Sequence, residues 1–152
     1  DVCSSDLNRI PGRNMMRGGR ELRYAAVAAA AAYMLTACGS SGDPERGRQL
    51  YLQETIGESG APGCIACHSL NPGEILVGPS HAGVAERAER AVRSSSYRGR
   101  AEDAGSYLRE SILRPNIHVV DGFEPNIMFS DYEDILQDSE VDDLVAFLLT
   151  LR

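Results

Sequence analysis

The chain has 152 residues and a net charge of −7, with 43% hydrophobic and 6% aromatic residues and no tryptophan. That length suits one modest domain plus extra segments, and the thin aromatic content leaves room for a large cofactor to supply part of the core. Every basic residue is Arg, and the negative balance argues against nucleic acid as a partner, because phosphate contacts need clustered cations.

The first forty residues do not read as globular. Residues 1–14 precede the first methionines, Met15 and Met16, and read as a mis-assigned start or foreign sequence, so that Cys3 carries no meaning. Arg17, Arg20 and Arg23 lead into an uncharged, alanine-rich run from Tyr24 to Leu35. That run is short for a membrane span, which needs about 20 residues. A basic start, a short apolar core and a small-residue end describe a secretory signal over 15–37. Its ending, Leu35-Thr36-Ala37-Cys38, resembles a bacterial lipoprotein signal, which implies a diacylglycerol on the Cys38 thiol. Gly39-Ser40-Ser41-Gly42 then forms a tether spanning at most roughly 14 Å, so the domain over 43–152 would sit close to the membrane.

Asp43 to Ile56 reads as a helix, with Asp43 as N-cap, Pro44 in the first turn and Glu45 at the positive end of the dipole. Gly57 to Gly63 is a loop by composition, and Asn71-Pro72-Gly73 is a turn. Helical spacing of apolar residues predicts helices over Val84–Val92 and Asp103–Leu113, the second ended by Pro115. Asn116 to Ser130 has no period. Ser139 to Leu151 reads as a helix with a stripe of Leu144, Phe147, Leu148 and Leu151. No strand alternation persists, and the class is all-α. Nine acids lie between Asp121 and Asp143 with no Arg among them, either a solvated face or a surface that steers a basic partner.

The chemistry concentrates in Cys64-Ile65-Ala66-Cys67-His68. A thioredoxin-like thiol pair would sit beside βαβ units, which this pattern lacks. A zinc site needs four ligands, usually from two clusters, and a histidine directly after the second cysteine is the wrong spacing. C-x-x-C-H is the spacing of c-type haem attachment. Two thiols add across the porphyrin vinyl groups, and the adjacent histidine is carried beneath the iron. A secretory signal agrees, because that attachment happens outside the cytoplasm.

Methionine is the usual second axial ligand for electron transfer. Of the four methionines, Met15, Met16 and Met34 fall in the expected signal, leaving Met128 in the irregular stretch. Its rivals are His118 and His81, which would give bis-histidine ligation.

With these residues in view, the domain resembles class I monohaem cytochromes c. The resemblance rests on Cys64–His68, on Gly78-Pro79, and on Gly47 and Tyr51 facing Leu144–Leu148. The stretches Tyr107–Asn116 and Gly122–Met128 are similar to the cytochrome domain of bacterial haem–copper oxidase subunit II. They also resemble those of lipid-anchored monohaem subunits of respiratory complexes such as alternative complex III. The resemblance implies a class I cytochrome c fold, with N- and C-terminal helices packed together round one covalent haem c. It implies attachment at Cys64 and Cys67, axial ligation by His68 and Met128, and a Pro79 carbonyl that braces the His68 ring. Leu70, Val77, Ile112, Ile127 and Phe129 are expected round the haem, and Tyr107, Tyr132, Arg87 and Arg98 are candidate propionate partners.

The expected function is one-electron transfer, not catalysis, in a respiratory or photosynthetic chain. The expected location is the periplasmic or extracytoplasmic face of a bacterial cell envelope, with a membrane electron-transfer complex as partner. The alternatives are a fixed haem subunit of a larger oxidoreductase, or a haem enzyme or sensor with an open iron position. Two departures from the resemblance stand out: the loop Gly57–Gly63 before the motif, and His81 where an apolar residue is usual, expected to face solvent, with a propionate partner or a group that titrates with reduction as the alternatives.

Overall fold

A computed structural model describes residues 42–152; the expected leader, Cys38 and most of the tether lie outside them. The elements are α1 (Pro44–Tyr51), β1 (Thr55–Ile56), β2 (Ala61–Pro62), α2 (Cys64–Cys67), α3 (Val84–Val92), α4 (Ala104–Leu113), α5 (Tyr132–Ile135) and α6 (Asp138–Thr150). The fold is helical, as expected, with one small addition.

That addition corrects the first helix, which was expected to run to Ile56 and stops at Tyr51. Its start is as the sequence implied: the Asp43 carboxylate accepts from the amides of Glu45 at 2.9 Å and Arg46 at 3.3 Å. Beyond it, Thr55 and Ile56 favour extended backbone and pair antiparallel with Pro62 and Ala61. Gly57 and Gly60, both with φ of +69°, let the chain reverse between them. The loop expected at Gly57–Gly63 is therefore mostly the turn and second strand of a hairpin. Ile56 and Ala61 point into the core, and the Gly63 amide donates to the Glu54 carbonyl at 2.7 Å. The hairpin returns the chain to the end of α1, so α2 follows it closely despite the extra residues.

α1 crosses α6 at very close range. A Cβ on Gly47 would fall 1.9 Å from the Asp143 carbonyl oxygen, so only glycine allows the contact. Beside it, the buried Asp143 carboxylate accepts from the Asp43 amide at 2.6 Å and from Arg46 Nε at 2.8 Å and NH2 at 3.0 Å. Tyr51, Leu144, Phe147 and Leu148 fill the interface. α4 begins on a reciprocal cap between Asp103 and Ser106 and buries Tyr107, Leu108 and Ile112. Its Arg109 holds Asp138 and Asp142 of α6. α3 starts at Gly83 in the left-handed region and packs Ala85 and Ala88 inward.

The acidic stretch divides on this fold. Asp138, Asp142, Asp143 and Glu133 are paired with Arg109, Arg46 or Arg114, so a good part of its charge is spent inside the domain. Asn116 to Ser130 contains no helix or strand, as expected, and is followed by one short helix, α5, which the pattern did not reveal. Among the described residues, no helix is long and apolar enough to cross a membrane.

Candidate functional site

α2 is a single turn, entered at Gly63 and closed by the His68 amide on the Cys64 carbonyl at 2.9 Å. It puts Cys64 and Cys67 about one turn apart, both partly buried and both free thiols. Burial pushes the Cys64 thiol up to about 11. A redox-active thiol pair needs the opposite, a lowered pKa that populates the thiolate. Among the described residues, no three His, Cys, Asp or Glu gather closely enough to hold a metal ion on their own. The raised Cys64 pKa speaks against the thiol-pair reading, and the spacing of possible ligands against the zinc reading.

His68 is buried, and its Nδ1 lies 2.9 Å from the Pro79 carbonyl oxygen. A carbonyl only accepts, so Nδ1 carries the proton and Nε2 presents a lone pair. Burial holds the ring's pKa below its ordinary value, against a smaller opposing effect of the Pro79 carbonyl, so the imidazole is neutral near pH 7. Gly78 sits against the same ring: a Cβ there would come 2.4 Å from His68 Cε1. The Gly78 amide also donates to the Cys67 carbonyl at 2.9 Å, and the His81 amide to the Ser69 carbonyl at 2.7 Å. The intervening loop is tied by Glu74, which accepts from Ser69 and Asn71, and by Ser80 Oγ, which donates to the Asn71 carbonyl at 2.6 Å. The loop that carries Pro79 is thus a fixed strut for His68.

Two vicinal thiols beside a neutral imidazole with a free Nε2 form a donor set that suits covalent haem. Cys64 and Cys67 would hold its edge, and His68 would meet the iron. Met128 is half-buried and packs on the same core cluster as Cys64 and Leu70. Its segment is pinned by a bond from the Asn126 amide to Asn116 Oδ1 at 2.7 Å, with Asn126 in the left-handed region at φ 62°. Asn116 thereby supports the Met128 segment from across the chain, a role its sequence position did not suggest.

The other expected residues separate. Ile112 is buried, Leu70 and Phe129 are partly buried, while Val77 and Ile127 are 53% and 58% exposed. The Tyr132 hydroxyl donates to the Pro62 carbonyl at 2.6 Å, so it braces the hairpin. Arg87 donates to the Ser80 and Ala82 carbonyls, and Arg98 NH1 to the Ser95 carbonyl at 2.9 Å. Tyr107 and His118 meet edge-on beside Tyr97.

His81 does not simply face solvent: it is partly buried against Tyr51 and His68. Its ring lies parallel to His68, with centroids 4.0 Å apart and planes 14° from each other. It therefore lies over the face of the His68 ring and not beyond its Nε2, while His118 lies with Tyr97 and Tyr107, and Met128 on the core cluster with Cys64.

The sequence model of the family described as Cytochrome c matches residues 44–152. No curated protein matches the chain.

Proposed function

The chain belongs to the cytochrome c family, proteins that transfer electrons through covalently attached haem c, and from that premise we propose a membrane-tethered one-electron carrier with His68 and Met128 as axial ligands. The observation that carries this reading is the bond from His68 Nδ1 to the Pro79 carbonyl, which leaves Nε2 free beside the two thiols. When bound, the haem supplies the ferric/ferrous couple. Cys64 and Cys67 would hold it covalently, His68 would coordinate its iron, and Met128 would reach it from the segment pinned by Asn116. The His81 ring lies over the face of His68, which favours Met128 over His81 as the second ligand.

His/Met ligation raises a haem potential, and a low-dielectric setting disfavours the extra charge of the ferric state. The isolated holoprotein is therefore expected to show a positive midpoint potential and the weak red-region band of a methionine–ferric iron bond. Met128→Ala should lose that band and lower the midpoint. Retention of the band in Met128→Ala, or a strongly negative midpoint in the parent, overturns the assignment.

The Leu35–Cys38 ending supports a lipid anchor at the extracytoplasmic face of a bacterial cell envelope. The similarity to oxidase subunit II and to lipid-anchored respiratory subunits supports a membrane electron-transfer complex as partner. The four-residue tether 39–42 favours a fixed membrane partner, and so keeps the reading of a resident haem subunit beside that of a carrier.

A further inference from the structure

Resting on the haem reading above, we propose that His81 is a positioning residue: its ring, locked by Tyr51, sets the plane in which His68 meets the iron. Three residues from distant parts of the chain converge here. Tyr51, at the end of α1, is fully buried, and its hydroxyl lies 3.1 Å from the His68 carbonyl oxygen and 3.1 Å from His81 Nδ1. The hydroxyl has one proton, and the carbonyl can only accept. Tyr51 therefore gives its proton to His68, and His81 Nδ1–H donates to the Tyr51 oxygen. The relay fixes His81 in one tautomer and one rotamer. Its flat face then lies along the face of His68.

The His68 ring is thereby constrained three ways: at Nδ1 by Pro79, at its Cε1 edge by Gly78, and over a face by His81. The bond to Pro79 sets the direction of Nε2, but by itself it tolerates rotation about the line between the two nitrogens. A stacked ring resists that rotation, because turning His68 drives its edge into the face of His81. Tyr51 also packs edge-on against Phe147 of α6, with centroids 5.3 Å apart. The contact of the terminal helices and the orientation of the iron ligand are thus joined through one hydroxyl and one imidazole. An aliphatic side chain at position 81 would fill space but offer neither a flat face nor a bond to Tyr51.

The plane of an axial imidazole sets how unpaired spin spreads over a ferric haem, and proton NMR of the haem methyl groups reads it directly. The test compares ferric holoprotein of the parent with His81→Leu, His81→Phe and Tyr51→Phe at one pH. His81→Leu is expected to change the order or spread of the methyl shifts. His81→Phe, which keeps the flat ring, should stay closer to the parent, with Tyr51→Phe between them. A parent-like methyl pattern in His81→Leu overturns the proposal, whatever happens to thermal stability. Should His81→Leu fail to take up haem, His81→Gln against His81→Phe gives the same contrast, and matching patterns in those two overturn it. A parent without a low-spin, histidine-ligated spectrum refutes the haem assignment itself, an outcome distinguishable from failure of the positioning role.

Discussion

The Asp143 carboxylate ties the start of the domain to α6. It is buried near the start of α6 and is met by the Asp43 amide and the Arg46 guanidinium. The hydrogen bond from Arg46 first, and then that from the Asp43 amide, hold it below the usual carboxylate range. The folded state thus prefers the ionised form more than the unfolded chain does. That stabilisation is fully present above the ordinary aspartate pKa of about 4, and it is lost as pH falls through the lower folded value. The stability gap between the parent and Asp143→Asn should therefore be widest near neutrality and narrow below about pH 4. Denaturant melts at several pH values measure it, and a gap that stays constant from neutral pH to strong acid contradicts the assignment. At this scale the sequence was legible only in part. The position of Asp143 near a helix start was evident, but its bond to an amide one hundred residues away was not. Burial and partner come from chain segments that no local pattern links.

The element whose formation turns on one atom is the α1–α6 crossing. Gly47 lies inside a helix, where glycine is less favourable than alanine by roughly 0.5–1 kcal/mol. Propensity alone would make Gly47→Ala stabilising. The added methyl, however, would meet the Asp143 carbonyl at 1.9 Å, and that oxygen belongs to a helix backbone that cannot turn aside. Overpacking of this kind costs about 1–3 kcal/mol. Gly47→Ala is therefore expected to lower stability on balance, by about 1–2 kcal/mol, read as a lower denaturation midpoint. A midpoint equal to or above the parent's would mean that the helices separate without cost. The helices over Val84–Val92 and Asp103–Leu113 were readable from apolar spacing, and the end of the second from Pro115, because those signals are local. The early end of α1 was not readable. Gln53 to Ile56 can continue a helix by propensity, and what draws them out is pairing with Ala61–Pro62 and burial of Ile56.

For the whole molecule, the tether reading and the haem reading meet in one measurement. Protein purified from membranes should show the mass of a chain beginning at Cys38 plus one haem and a lipid modification, and a partner complex should accompany it in mild detergent. Haem without lipid would refute the anchor while leaving the carrier intact, and lipid without haem would refute the carrier while leaving the anchor intact. The paired state of Asp138, Asp142, Asp143 and Glu133 narrows where a basic partner could be steered. Within this stretch Asp121, Glu124, Asp131 and Asp134 are exposed and outside those pairs.

The sequence by itself determined the helical class and the attachment motif, because capping, helical spacing and C-x-x-C-H are contiguous features whose chemistry needs residues at fixed separations. Only the tertiary structure decided what surrounds the motif. It turned the unexplained Gly57–Gly63 stretch into a hairpin that carries the chain from α1 to Cys64. It also placed His81 on the face of His68 and bound it to Tyr51. Those contacts join positions 13 and 30 residues apart, and a histidine at position 81 is compatible with solvent, an axial ligand or a stacked brace until the path of the backbone selects one.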